Sequence, residues 1–240
     1  MSGISNNNDA VINQQNILYY DKIAADYDAI LYKDPTNADA RKKVADKFTA
    51  LVKTGRVLDF GGGTGQDLGW LVQHHYDIVF CEPSTVMRQI ALERSNKEFP
   101  GACIFFINHD KTDFRNWDKV FPFEPKADAV LANFAVINCI ADIDLLFTKL
   151  AAMINPGGII LALILDNSLT KRLQSNRKDT IKSFFNGNTV KIEIENKDQR
   201  QVVYIHTMNA IKKASAGNFE FKQAERLQGS GFTLIHLVRQ

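Results

Sequence analysis

An α/β fold with a doubly wound, mostly parallel sheet is the architecture this chain predicts, and three observations carry the expectation. Apolar runs suited to buried strands recur at residues 57–60, 78–81, 103–107, 127–133 and 159–165. Segments with helical spacing lie between them, such as Val44, Phe48, Leu51 and Val52, or Ile143, Leu146, Phe147, Leu150 and Ile154. The first apolar run feeds a cluster of glycines, Gly61, Gly62, Gly63 and Gly65, and then a helix-like stretch over 66–75. Alternating strands and helices imply a parallel sheet covered on both faces. Such sheets bind ligands beyond the C-terminal strand ends, where the strand order reverses.

The whole chain sets bounds. Its 240 residues suit one α/β domain with a small insertion, and 45% hydrophobic content is enough for a core. A net charge of +2 argues against a nucleic-acid partner. Cys81, Cys103 and Cys139 lie far apart without a CxxC pair, so buried free thiols are expected rather than disulfides or a metal centre. No apolar run reaches the roughly 20 residues of a membrane helix, and the N-terminus lacks a signal-peptide core, so a cytoplasmic enzyme is expected.

Taken in order, residues 1–9 are polar and Asn-rich, and read as a disordered tail before a single domain over 10–240. Within residues 10–35, Tyr20, Ile23, Ala24 and Tyr27 share a helical face, predicting a helix that caps the core or covers a site. Asp34-Pro35-Thr36 interrupts it. Residues 38–52 form the next helix, with Arg41, Lys42, Lys43 and Lys47 turned outward, and Gly55 fits its stop. Ser84 is an N-cap for a helix over 85–97. Residues 111–126 read as a loop or short helix, and Asn155-Pro156-Gly157-Gly158 as a turn. Residues 167–215 are expected to be an insertion. Its basic part, 167–182, is a solvated face or a surface for an acidic substrate, and 190–195 with 201–207 alternate as a β-hairpin does. Residues 219–228 look helical, and 233–238 form the last strand.

The chemistry centres on Val57-Leu58-Asp59-Phe60-Gly61-Gly62-Gly63-Thr64-Gly65. The dinucleotide fingerprint G-x-G-x-x-G does not fit, since its third glycine would fall on Gln66 or Leu68. G-x-G-x-G preceded by an acid does fit. The segment resembles the first motif of the class I S-adenosylmethionine-dependent methyltransferases. Tyr20-Asp21 to Tyr27-Asp28, the helix–Pro-Gly-Gly–strand order around 156–158, and the Gly231-Phe232 ending are similar to that family too. The resemblance implies a seven-stranded-type sheet, an N-terminal helical lid, S-adenosylmethionine as cofactor, and a small-molecule acceptor.

By the same resemblance, Asp59, Gly61, Gly62, Gly63, Thr64 and Gly65 would serve the amino-acid half of the cofactor. Glu82, after the second strand, also stands where an acid bonds ribose hydroxyls in doubly wound sheets. Pro83 and Met87 would contact the adenine, Met87 serving equally well as core, and Asp110 would bond its amino group. Asn133 and Phe134 would line the methionine end, Phe134 serving as wall or as core. Tyr32 and Asn138 are candidates for the acceptor, and His109 and Tyr27 for proton transfer. No Asp/Asn-Pro-Pro-Tyr/Phe motif is present, which lowers the weight of nucleobase amines and glutamine as acceptors. A non-catalytic cofactor-binding protein remains the alternative, with a nicotinamide-dependent oxidoreductase behind it. Oligomeric state is left open.

Overall fold

The computed structural model describes residues 3–166, 189–196 and 199–240. The basic segment 167–182 lies outside the described residues. Seven strands form the main sheet: β1 Arg56–Phe60, β2 Asp77–Cys81, β3 Ile104–Phe106, β4 Ala127–Ala132, β5 Ile154–Leu165, β8 Phe219–Arg226 and β9 Phe232–Arg239. Their order is β3-β2-β1-β4-β5-β9-β8. The first five pair in parallel, and β9 runs antiparallel between β5 and β8. The order reverses between β1 and β4, so the switch point lies where the glycine loop leaves β1.

β1 is buried on both faces. Leu58 and Phe60 join a cluster with Trp117, Phe147 and Ile235, while Val57 joins Phe48, Leu71 and Phe80 on the other side. Side chains alternate across a strand, so one short apolar run feeds two layers. Helices α3 Pro35–Leu51, α4 Leu68–Gln73 and α5 Thr85–Glu98 cover the second cluster. Helices α6 Ile143–Met153 and α7 Met208–Ser215 cover the first.

Before the sheet, α1 Gly3–Ile23, a 3-10 turn and α2 Tyr27–Tyr32 form the N-terminal helical element. The backbone of α1 begins inside the segment expected to be a polar tail. Asp34 caps α3 by accepting from the Thr36 N–H at 2.9 Å, with Pro35 at the first helical position. The sequence break is therefore a helix start.

The hairpin forms as expected, from β6 Val190–Asn196 and β7 Gln199–Ile205. Its two strands make a separate sheet and do not join the main one. The outer edge of the main sheet is β8, where the sequence had suggested a helix. Phe219 is buried and Phe221 packs against the core, but the rest of β8 is exposed and rich in Glu, Lys and Gln. Charged residues on an edge strand discourage further pairing, and they also hide the strand period. A register shift at Phe221/Gln223 weakens the pattern further.

Two smaller expectations also change. Arg41 is not turned outward: its side chain is only 16% exposed and pairs with Asp67. Cys103 is exposed, whereas Cys81 is buried and Cys139 partly so.

Candidate functional site

At the end of β1 the N–H groups of Gly61 and Gly62 both donate to the Cys81 carbonyl, at 2.8 and 3.2 Å. The loop therefore folds over the end of β2. A Cβ on Gly62 would stand 2.2 Å from the Phe80 ring and 2.7 Å from Asp59 Oδ2, so only glycine fits there. Gly63 differs. Its φ is +58°, and a Cβ would point between Tyr27 at 3.8 Å and Met87 at 4.0 Å. The Gly63 N–H donates to Glu82 Oε2 at 2.9 Å.

Glu82 is buried at the end of β2, and its other oxygen accepts from the Ser84 N–H at 2.7 Å. Burial pushes its carboxyl up to about 7, against the two backbone hydrogen bonds that favour the charged form. Ser84 caps α5 by accepting from the Met87 N–H at 3.2 Å, which brings Met87 to the wall.

Asp59 lies beneath the loop. Its Oδ2 has no hydrogen-bond partner among the described residues. Burial, then the charge of Asp67, holds its carboxyl well above the usual carboxylate range. Asp67 is the centre of a buried cluster: Arg41 at 2.6 Å, Asn133 Nδ2 at 2.9 Å and Trp70 Nε1 at 2.9 Å. The Arg41 guanidinium also sits 4.4 Å over the Phe134 ring. Phe134 and Ala135 take φ values of 51° and 65°, in the left-handed region. Two adjacent non-glycine residues there store strain, and such strain gathers at ligand sites. The Ala135 N–H to Leu163 carbonyl bond, 2.8 Å, holds the turn in place.

Three polar residues pin the N-terminal helices over this region. Asn16 of α1 pairs with the backbone of Val202 in β7, donating at 2.9 Å and accepting at 2.8 Å. Asp21 accepts from the Ser84 hydroxyl at 2.6 Å and from the Val86 N–H at 3.1 Å. Asp28 accepts from the Thr64 hydroxyl at 2.5 Å and from Arg94 at 2.6 Å, while Arg94 also donates to the Thr64 carbonyl.

Together these parts enclose a cavity of about 260 Å³. Of the residues proposed from sequence, Gly61, Gly63, Glu82, Pro83, Met87, Asn133, Phe134, Tyr27 and His109 line it. Asp59, Gly62, Thr64 and Gly65 shape the loop without reaching the wall. Asp110 is exposed next to His109 and is not on the wall. Tyr32 is exposed and donates to Gln66 at 2.6 Å. Asn138 is buried in a structural role: it donates to the Tyr204 carbonyl at 2.7 Å and accepts from the Leu165 N–H at 2.9 Å.

The cavity wall also includes Asn16, Tyr20, Cys139 and Arg115, which sequence reasoning did not assign to it. Tyr20 shares its helical face with Tyr27, and that spacing was the available signal. Its hydroxyl accepts from Gln201 of the hairpin at 2.7 Å. Burial keeps the Tyr20 and Tyr27 hydroxyls protonated. No cluster of three or more His, Cys, Asp or Glu able to hold a metal occurs among the described residues, and none of their helices is long and apolar enough to cross a membrane.

The family described as "Methyltransferase domain" matches the chain over residues 32–237. No curated protein sequence matches it. Among solved structures, a DhpI complex with SAH is similar at a TM-score of 0.66 and 15% identity, covering 95% of this chain and 97% of that one. CalS10, an amino pentose methyltransferase from Micromonospora echinaspora solved with SAM, gives 0.58 and 17%, covering 84% and 91%. PH0226 from Pyrococcus horikoshii OT3 gives 0.63 and 16%, covering 85% and 92%. At these identities the likeness is one of fold.

Proposed function

Since the chain belongs to the methyltransferase-domain family, we propose that it is an S-adenosylmethionine-dependent methyltransferase that methylates a small molecule by in-line displacement. The observation that carries this is the facing pair of Gly63 and buried Glu82 on one cavity wall. Two features of the structure test the fit. The unpartnered Asp59 oxygen and the raised Glu82 carboxyl are buried acids suited to a ligand bearing hydroxyls and positive charge. The open Cα side of Gly63 leaves room for that ligand against the backbone.

Glu82 would accept from the ribose hydroxyls, with Pro83 and Met87 against the adenine. Gly61 to Gly65, with Asp59 below, would hold the zwitterionic methionine moiety, and Asn133 and Phe134 its methyl end. When bound, the cofactor supplies an activated methyl group on a sulfonium. The chain's own task is alignment and exclusion of water, and positioning of this kind contributes up to about 7–11 kcal/mol. Tyr27, held as a phenol by burial, would serve as a hydrogen-bond donor rather than as a base. His109, exposed on the wall with Nδ1 3.5 Å from the Thr85 hydroxyl, would be the residue to accept a proton. The three unpaired cysteines support a cytoplasmic location.

Calorimetry with S-adenosylmethionine, S-adenosylhomocysteine and NAD tests the proposal. Binding of the first two and not the third is expected. Binding of NAD alone overturns it.

A further inference from the structure

A second cavity, of about 290 Å³, adjoins the first and shares Asn13, Phe114, Arg115, Cys139 and Ile140 with it. A molecule seated in one therefore reaches the wall of the other. We propose that this second cavity is the acceptor pocket, and that it takes a small molecule with an apolar body and a cationic amine head; this rests on the methyltransferase reading above.

The apolar part of the wall comes from Ile12, Phe114, Ile140 and Leu145. The charges come from three elements. Asp9 stands on α1, Asp142 caps α6, and Arg115 follows β3. Arg115 is already compensated, because its Nε and Nη2 both donate to Asp113 at 2.8 and 2.7 Å. Asp9 and Asp142 thus leave the pocket with an excess of negative charge. An ammonium head gains from that field and a carboxylate head is repelled by it.

Tyr204 of β7 adds a polar group to this wall. The residue is only 7% exposed, and its hydroxyl, with no hydrogen bond among the described residues, is open to the cavity. Burial, then the charges of Asp9 and Glu193, pushes it up to about 12, so it stays a phenol whose oxygen can accept from an ammonium N–H. The hairpin thereby acquires a purpose: β7 presents Tyr204 to the pocket and, through Asn16, holds the helix that forms the opposite wall.

The test titrates protein saturated with S-adenosylhomocysteine with phenethylamine, phenylacetate and 2-phenylethanol, which share a body and differ in the head. Phenethylamine is expected to bind at least about tenfold tighter than phenylacetate. Asp142→Asn, which keeps the helix cap, weakens the amine about three- to tenfold and leaves the alcohol unchanged. Ala141→Trp fills the second cavity from a position absent from the first, so it abolishes amine binding while S-adenosylhomocysteine still binds. Equal or tighter phenylacetate binding, amine binding unaffected by Ala141→Trp, or no saturable binding of any probe up to about 10 mM overturns the proposal alone. Failure of S-adenosylhomocysteine to bind the unmodified protein overturns the underlying reading and this proposal with it.

Discussion

Substituting valine for Gly63 separates the ligand site from the fold. At φ +58° an L-residue costs about 1–2 kcal/mol, or roughly 2–8 °C in Tm for a chain of this size. A Cβ there meets no clash, because its nearest atoms are Tyr27 at 3.8 Å and Met87 at 4.0 Å. Those are ordinary van der Waals distances. The Cβ therefore fits, and the γ-methyls of valine extend into the space between the loop and α2. The same space is where a ligand would meet the backbone. We expect S-adenosylhomocysteine affinity to fall at least about 100-fold, equivalent to about 2.7 kcal/mol. Gly62→Ala is the contrast: its Cβ would stand 2.2 Å from Phe80, and such overpacking costs about 1–3 kcal/mol or more in the folded state itself. Calorimetric titration and urea denaturation of both variants separate the two effects. Wild-type affinity in Gly63→Val refutes the placement of the cofactor, and wild-type stability in Gly62→Ala refutes the packing of the loop.

Three further outcomes are expected. Glu82 rises from an ordinary 4.5 to about 7 in the folded state, so the fold favours its protonated form. The stability this group contributes is complete below pH 4.5 and is lost as pH rises through 7, about 3 kcal/mol in all. A Glu82 that accepts from the ribose, as proposed, must be a carboxylate, so S-adenosylhomocysteine affinity should fall about tenfold from pH 8 to pH 6, and a flat profile there removes Glu82 from the ribose. Arg41→Ala strands buried Asp67 and should cost about 3–5 kcal/mol by chemical denaturation, whereas Lys42→Ala, breaking an exposed pair with Asp46, should change stability by less than about 1 kcal/mol. Asp28→Asn weakens the tie of α2 to Thr64 and Arg94, and the Asp28–Arg94 pair it breaks is partly solvated. Stopped-flow should show S-adenosylhomocysteine leaving several-fold faster while stability drops by no more than about 1 kcal/mol.

The parallel half of the sheet was legible because its signals are local. Strands buried on both faces read as unbroken apolar runs, and the glycine loop declares itself by composition and spacing. Ser84 and Glu82 were legible for the same reason, since a cap and a strand-end acid are defined by their neighbours in sequence. What was not legible depends on contacts across the chain. Arg41 looks like one more cation on a solvated helix until Asp67 and Phe134 arrive from elsewhere. Asn138 looks free to bind a ligand until the Tyr204 carbonyl and the Leu165 N–H use both ends of its amide. β8 was misread because an exposed edge strand keeps the composition of a helix surface, and its bulge breaks the alternation that would have marked it.

The bond between Asn16 and Val202 spans 186 residues. Synthesis at about 5–20 residues per second leaves α1 without that partner for roughly 10–40 s after it emerges. During that interval Ile12 has no Val202 or Tyr204 to pack against. The glycine loop and the strands around it can assemble meanwhile, and Asp21 and Asp28 already find Ser84 and Thr64, but the contact of α1 with β7 waits for the hairpin. The order of translation thus makes the second cavity, which Tyr204 lines, one of the last features the nascent chain completes.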